Sequence, residues 1–230
     1  MSKKINTESI RYVNVNETFN MTIPERNKNS ICWFETAAFD YKTASTLLDN
    51  KIYCHSFFFM QQCVECIVKG LLIENKIVNA GDIKKWSHSP EEAFSAFYKF
   101  QKSLSEDFFT NIKVRIIKEH GLEAKLEITK NIINYYCHLY EEKKTTTPIE
   151  EHIVQHILVE AVIISLSILL NTMQQNTRYP NIETCKLPSM LYDESEIVVE
   201  YAPHILEWIS YVLRHVYPDL HKSEHAHPLI

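Results

Sequence analysis

Between Tyr53 and Ile73 the apolar residues fall at helical rather than strand spacing. Phe57, Met60, Val64, Val68 and Leu71 recur at steps of three and four with Gln61 on the same stripe, and Phe58, Cys63, Ile67 and Leu72 widen it beyond one seam. A helix so broadly apolar has to be covered on most sides, and the rest of the chain is expected to arrange itself around it. Three polar features interrupt it: the Gln61-Gln62 pair, Glu65 and Lys69. Glu65 precedes Lys69 by four residues, the order that favours an ion pair along one helical face.

Upstream, Trp33, Ala37, Tyr41, Ala44 and Leu48 mark a helix from about Ser30 to Asp49-Asn50. The break before Tyr53 is so short that the two helices should pack as an antiparallel hairpin. Residues 1–29 are polar and aperiodic, an extended or loosely attached lead segment. Beyond Ile73, Asn79, Gly81 and Asp82 carry turn chemistry, and Ser87 or Ser89 is placed to cap a helix whose first turn holds Pro90, Glu91 and Glu92 and which runs toward Leu104. Residues 106–144 predict one or two helices broken at Gly121, with Ile128, Ile132, Tyr135, Tyr136 and Leu139 as an apolar face. One of Thr145, Thr146 and Thr147 caps a strongly helical stretch from Ile149 to Met173. Pro180 and Pro188 exclude a continuous helix across residues 176–190. The last helix opens near Asp193, carries Glu194 and Glu196 in its first turn, and passes through Ala202, Ile205, Ile209 and Val212 to Val216, with Pro203 as a bend point.

Composition sharpens this pattern. Only three glycines occur in 230 residues, which leaves few positive-φ turns for a strand-rich fold and points to an all-α protein. A hydrophobic content of 45 % is ample for the core of one domain. The predicted organisation is a lead segment (1–29), a single helical domain (30–222) and a tail (223–230). A net charge of −5 offers no general attraction to nucleic acid, so any such contact needs a local basic patch. The six cysteines lack the close spacing of a disulfide scaffold and are read as free thiols in a reducing compartment. The N-terminus has no apolar stretch of the kind a signal peptide needs, and Ala161–Leu170 is half a membrane span. The expectation is a cytoplasmic protein with no membrane partner.

Several segments then resemble the HEPN domains, the helical domains named for higher eukaryotes and prokaryotes nucleotide binding. Trp33, Ala37, Asp40, Ala44 and Leu47 match the family's aromatic followed by A-x-x-D-x-x-x-A-x-x-L, and Tyr53 matches the Tyr that opens its second helix. Gln61, Gln62, Glu65, Lys69, Leu71 and Leu72 resemble its Q-Q-x-x-E-x-x-x-K-x-L-L helix, the most specific part. His88-Ser89 is similar to a pair before helix three, and Arg178-Tyr179-Pro180 to the family's RYP signature, followed by an acidic helix with an internal Ala202. The resemblance covers 30–98 and 165–216, with residues 100–164 between them as an insertion. It implies an up-and-down helical bundle, a tendency to homodimerise, and either a nucleotide or RNA as ligand or a separately encoded nucleotidyltransferase-type partner, as in toxin-antitoxin systems. It also implies Arg178, Tyr179, Glu65 and Lys69 as a ligand-binding group. No cofactor is implied.

Many HEPN proteins are metal-independent ribonucleases with an Arg-x(4 to 6)-His motif, in which Arg stabilises charge on the scissile phosphate and His transfers a proton. Arg214, His215 and His221 fit this with six residues between Arg and the second His; Arg115 and His120 fit it with four. Position weighs against both. RYP occupies the place where the nuclease Arg is expected and no His follows it, Arg115 lies in the insertion, and Pro218 interrupts the chain before His221. Arg214 as a basic cap on a helix dipole is the plainer reading. Cys63 and Cys66 read as core packing, His152 and His156 as a solvated helix face, and the His225-Ala226-His227 tail as adventitious; no metal site is assigned. Glu65 and Lys69 have a plain reading as a surface ion pair, worth less than about 1 kcal/mol; turned inward, they would instead orient Arg178 or a bound phosphate. The first functional reading is a binding or partner protein without catalysis. A ribonuclease using Arg214, His215 and His221 and a purely structural interaction module are the alternatives.

Overall fold

The computed structural model describes residues 28–83, 91, 105–144, 147–178 and 187–218, the side chains of 105–106, 174–176 and 178 excepted. Every regular element among them is a helix: α1 (Lys28–Asp49), α2 (Tyr53–Glu74), α3 (Ser105–Ile117), α4 (Leu122–Lys143), α5 (Pro148–Arg178), the single turn α6 (Pro188–Leu191) and α7 (Ile197–Val216). The all-α expectation holds. Residues 1–27 of the lead segment, the His88-Ser89 pair, all of the third expected helix except Glu91, and the tail lie outside the described residues, while Lys28 and Asn29, expected in the lead segment, open α1.

The α1–α2 hairpin forms as the short connection predicts, and the chain makes its turn without glycine. Lys51 takes a left-handed conformation at φ 59°. Its N–H donates to the Leu48 carbonyl at 2.9 Å and that of Ile52 to Leu47 at 2.8 Å, the paired bonds of a Schellman helix end. The end of α2 repeats the device: Lys76 sits at φ 56°, and the N–H groups of Lys76 and Ile77 reach Ile73 and Leu72. Lysine stands twice where glycine is the common choice, at a cost of about 1 kcal/mol each. At Gly121 the expected break falls between α3 and α4, and its φ of 88° does call for glycine.

Two helices, not one, share the centre. α2 packs against α1, α5, α6 and α7, while α5 packs against α2, α3, α4, α6 and α7. Every residue of α5 from Ala161 to Leu170 is buried, so this helix has no solvent face along that run. By length and composition α2 and Pro148–Met173 could each cross a membrane, but most of either helix is packed inside the protein. Close approach in the hairpin depends on Gly70: a Cβ there would stand 2.6 Å from a ring carbon of the fully buried Phe34.

Helix ends follow local chemistry. The Thr147 hydroxyl accepts the Glu150 N–H at 3.2 Å, so Thr147 is the cap of α5 and Pro148 fills the first helical position. α5 runs five residues past Met173 because Gln174 to Arg178 contain no glycine or proline to break it. α7 starts at Ile197 rather than near Asp193. The Asp193 carboxylate instead accepts the Ser195 N–H at 2.8 Å, a local turn that competes with helix. Pro203 lies inside α7 and leaves the Val199 carbonyl without its intrahelical donor.

Candidate functional site

The polar residues of α2 turn inward. Gln61, Glu65 and Lys69 are 1 %, 4 % and 4 % exposed, and Lys69 Nζ donates to Glu65 Oε1 at 2.6 Å. The surface-pair reading is therefore corrected: spacing located the pair, but the breadth of the apolar stripe decides that it is buried. Gln62 Nε2 adds a bond to the other Glu65 oxygen at 3.3 Å, and Lys69 Nζ lies 5.3 Å from the centre of the Trp33 ring. Beside them, Asp40 of α1 accepts a weak bond from Cys66 Sγ at 3.9 Å. Burial, opposed by that bond and aided by the charge of Glu65, raises the Asp40 carboxyl to about 6. Burial first, then the charges of Asp40 and Glu65, push the Cys66 thiol up to about 12, and burial also raises Cys63. Neither sulfur is a nucleophile at neutral pH. The described cysteines are all free thiols, as expected. Among the described residues the Gln61 amide has no hydrogen-bond partner on either atom.

A second cluster forms where α5 meets α7. His152 and His156 of α5 bring their Nε2 atoms within 3.0 Å, and the His215 ring of α7 meets that of His156 edge to face at 5.3 Å between centroids. Burial and the neighbouring imidazoles lower His156 to about 4, and burial with His152 lowers His215 as well. At neutral pH both rings are neutral and able to accept a proton or bind as a ligand. His156 is thus half-buried against α7 and not on a solvated face. Arg214, next in sequence to His215, is exposed, and its Nε donates to the Ser210 carbonyl at 3.3 Å. Nearby on α4 and α5, the Tyr140 hydroxyl donates to Glu151 at 3.3 Å, and the buried Tyr211 hydroxyl of α7 has no partner among the described residues.

The structure thus distributes the sequence candidates over two places. Glu65 and Lys69 meet each other in the hairpin; Arg214 and His215 sit at the end of α7. Arg178 is the last residue of α5, but its side chain, like Tyr179 and His221, lies outside the described residues. Arg115 and His120 are both exposed, one on α3 and one just after it. The spacing of His152 and His156 was the one visible trace of the histidine cluster; that His215 joins them depends on how α5 and α7 pack, which no local pattern records.

Comparison with known families finds one match, over part of the chain. The family model described as HEPN domain matches residues 32–142, a span that includes α1 to α4 except for the ends of α1 and α4. The match runs on through 100–142, part of the stretch expected as an insertion, and stops before RYP and α7. No curated protein and no solved structure matches the chain.

Proposed function

From the premise that this chain carries a HEPN domain, we propose that it binds a nucleotide or RNA through phosphate contacts, without cleaving it, and works as a dimer or with a separately encoded partner in a cytoplasmic two-component toxin-antitoxin or defence system. The family match is what supports the ligand class. The observation that carries the non-catalytic reading is the closure of the motif helix: the Glu65 and Lys69 side chains are paired to each other inside the bundle and act there as scaffold. Phosphate contact falls to exposed guanidinium groups, with Arg214 first because it stands at a helix end beside neutral imidazoles.

The histidine cluster is the specific observation that favours the ribonuclease alternative. A neutral His215 next to Arg214 supplies a base and a cation at one place, and two copies across a dimer would double the set. Total RNA incubated with the protein in EDTA separates the readings, alongside fluorescence anisotropy with a labelled single-stranded RNA. The binding reading expects retarded, intact RNA whose affinity falls in Arg214→Ala. Cleavage that is lost in His221→Ala establishes the ribonuclease instead, and sedimentation of the same samples reports the dimer. Neither binding nor cleavage leaves the structural interaction module.

A further inference from the structure

We propose that His152 and His156 of α5, with His215 of α7, form a binding site for a borderline divalent cation such as Zn²⁺ that bridges the two helices. Two histidines four apart present their rings on one helical face, and here their Nε2 atoms converge to 3.0 Å. Nitrogens bound to one tetrahedral zinc at about 2.0 to 2.1 Å stand about 3.3 Å apart, so the pair already has nearly the spacing that an ion would impose. In the metal-free protein one ring's Nε2–H donates to the other's Nε2 lone pair; when the ion binds, the donor ring shifts to the tautomer with its proton on Nδ1, and both Nε2 lone pairs face the ion. Among the described residues no three ligand groups are already gathered as a complete set. The ion is held first by the α5 pair and then draws in His215, whose ring lies 5.3 Å from that of His156. Water completes the coordination. Imidazole-only ligation suits Zn²⁺, Ni²⁺ or Cu²⁺ and disfavours Mg²⁺ and Ca²⁺, which take oxygen ligands.

The tail histidines, His225 and His227, are a rival source of metal affinity, so the test is made in the full-length chain carrying His225→Ala and His227→Ala. Zn²⁺ titrated calorimetrically into this background is expected to bind at one equivalent, and Co²⁺ to give the visible absorption of a nitrogen-ligated ion. Adding His152→Ala, at an exposed position where helix content will be unchanged by circular dichroism, should weaken Zn²⁺ by more than about tenfold, the loss that even an outer-shell change can bring. His215→Ala should weaken it similarly. A background protein that binds no Zn²⁺ overturns the site, as does a His152→Ala variant that binds as tightly as its parent. Unchanged affinity in His215→Ala overturns the bridge between helices. Because the readout is metal binding, it is independent of whether RNA is bound or cut.

Discussion

The hairpin cluster of α1 and α2 and the histidine cluster of α5 and α7 are built by the same force with opposite results. In both, burial disfavours whichever protonation state is charged. In the hairpin the affected group is a carboxyl, Asp40, and its pKa rises to about 6; between α5 and α7 it is an imidazole, His156, and its pKa falls to about 4. The hairpin cluster is closed: Glu65, Lys69 and Asp40 are all under a tenth exposed and occupied with Gln62, Cys66 and Trp33. The histidine cluster is half open, with His152 and Arg214 at the surface. The residues that carry the family resemblance thus pack inside the bundle, whereas the histidine cluster keeps part of its surface open to solvent.

Breaking the closed cluster should be the most damaging single change. Glu65→Leu leaves the Lys69 ammonium buried without its carboxylate, and a loss of about 3 to 5 kcal/mol is expected in urea unfolding. Adding Lys69→Met should recover most of it, because two apolar side chains replace a pair whose attraction barely exceeds its desolvation cost. A single substitution costing under about 1 kcal/mol would return the pair to the surface reading.

The opposite shifts give opposite pH dependence. For Asp40 the folded value of about 6 lies above the ordinary 3.8. Its stabilising contribution is complete below pH 3.8 and is lost as pH rises through 6. Asp40→Asn should therefore be more stable than wild type at pH 7, by up to about 2 to 3 kcal/mol, with the difference fading toward pH 4. For His156 the folded value of about 4 lies below 6.5, so stability is complete above pH 6.5 and falls as pH drops toward 4. In EDTA, His156→Gln should lose about 1 to 2 kcal/mol less than wild type over that window. Parallel slopes for the two variants would remove the contrast between the clusters.

What could be read from the residues follows the same division. The hairpin was legible because helical period, a short break and the Q-Q-x-x-E-x-x-x-K pattern all act within fifty residues of chain. Gly121 and Thr147 were legible as a break and a cap for equally local reasons. The central role of α5 was not, since an apolar run says that a helix is buried but not what covers it. Nor was the meeting of His156 with His215, which are 59 positions apart and join only when α5 and α7 pack. The start of α7 was missed because Asp193 suits a helix cap and a local turn alike, and the Ser195 hydroxyl decided for the turn.

Loosening each cluster without touching its polar groups gives a finer comparison. Gly70→Ala drives a methyl into Phe34, which is buried and has little room to move. Overpacking of about 1 to 3 kcal/mol, reduced by the roughly 1 kcal/mol that alanine gains over glycine in a helix, leaves a net loss of about 1 to 2 kcal/mol. As α1 and α2 separate, the Asp40 carboxyl should return toward its ordinary range, and Phe34→Leu should restore part of the stability.

The smallest effect is expected at the start of α5. Thr147→Ala removes the hydroxyl that accepts the Glu150 N–H, at a cost of about 1 kcal/mol. His152 lies about a turn and a half beyond that cap and His156 one turn further, so fraying from Pro148 reaches the rings before it reaches the buried run from Ala161. Water admitted there weakens the desolvation that holds His156 low, and its titration, followed by the imidazole carbon-bound proton resonances in EDTA, should move up from about 4 toward 6.5. Asp40, anchored in the closed hairpin, should titrate as before. If both groups move together, the two clusters share one cooperative unit, and the half-open character of the histidine site is lost.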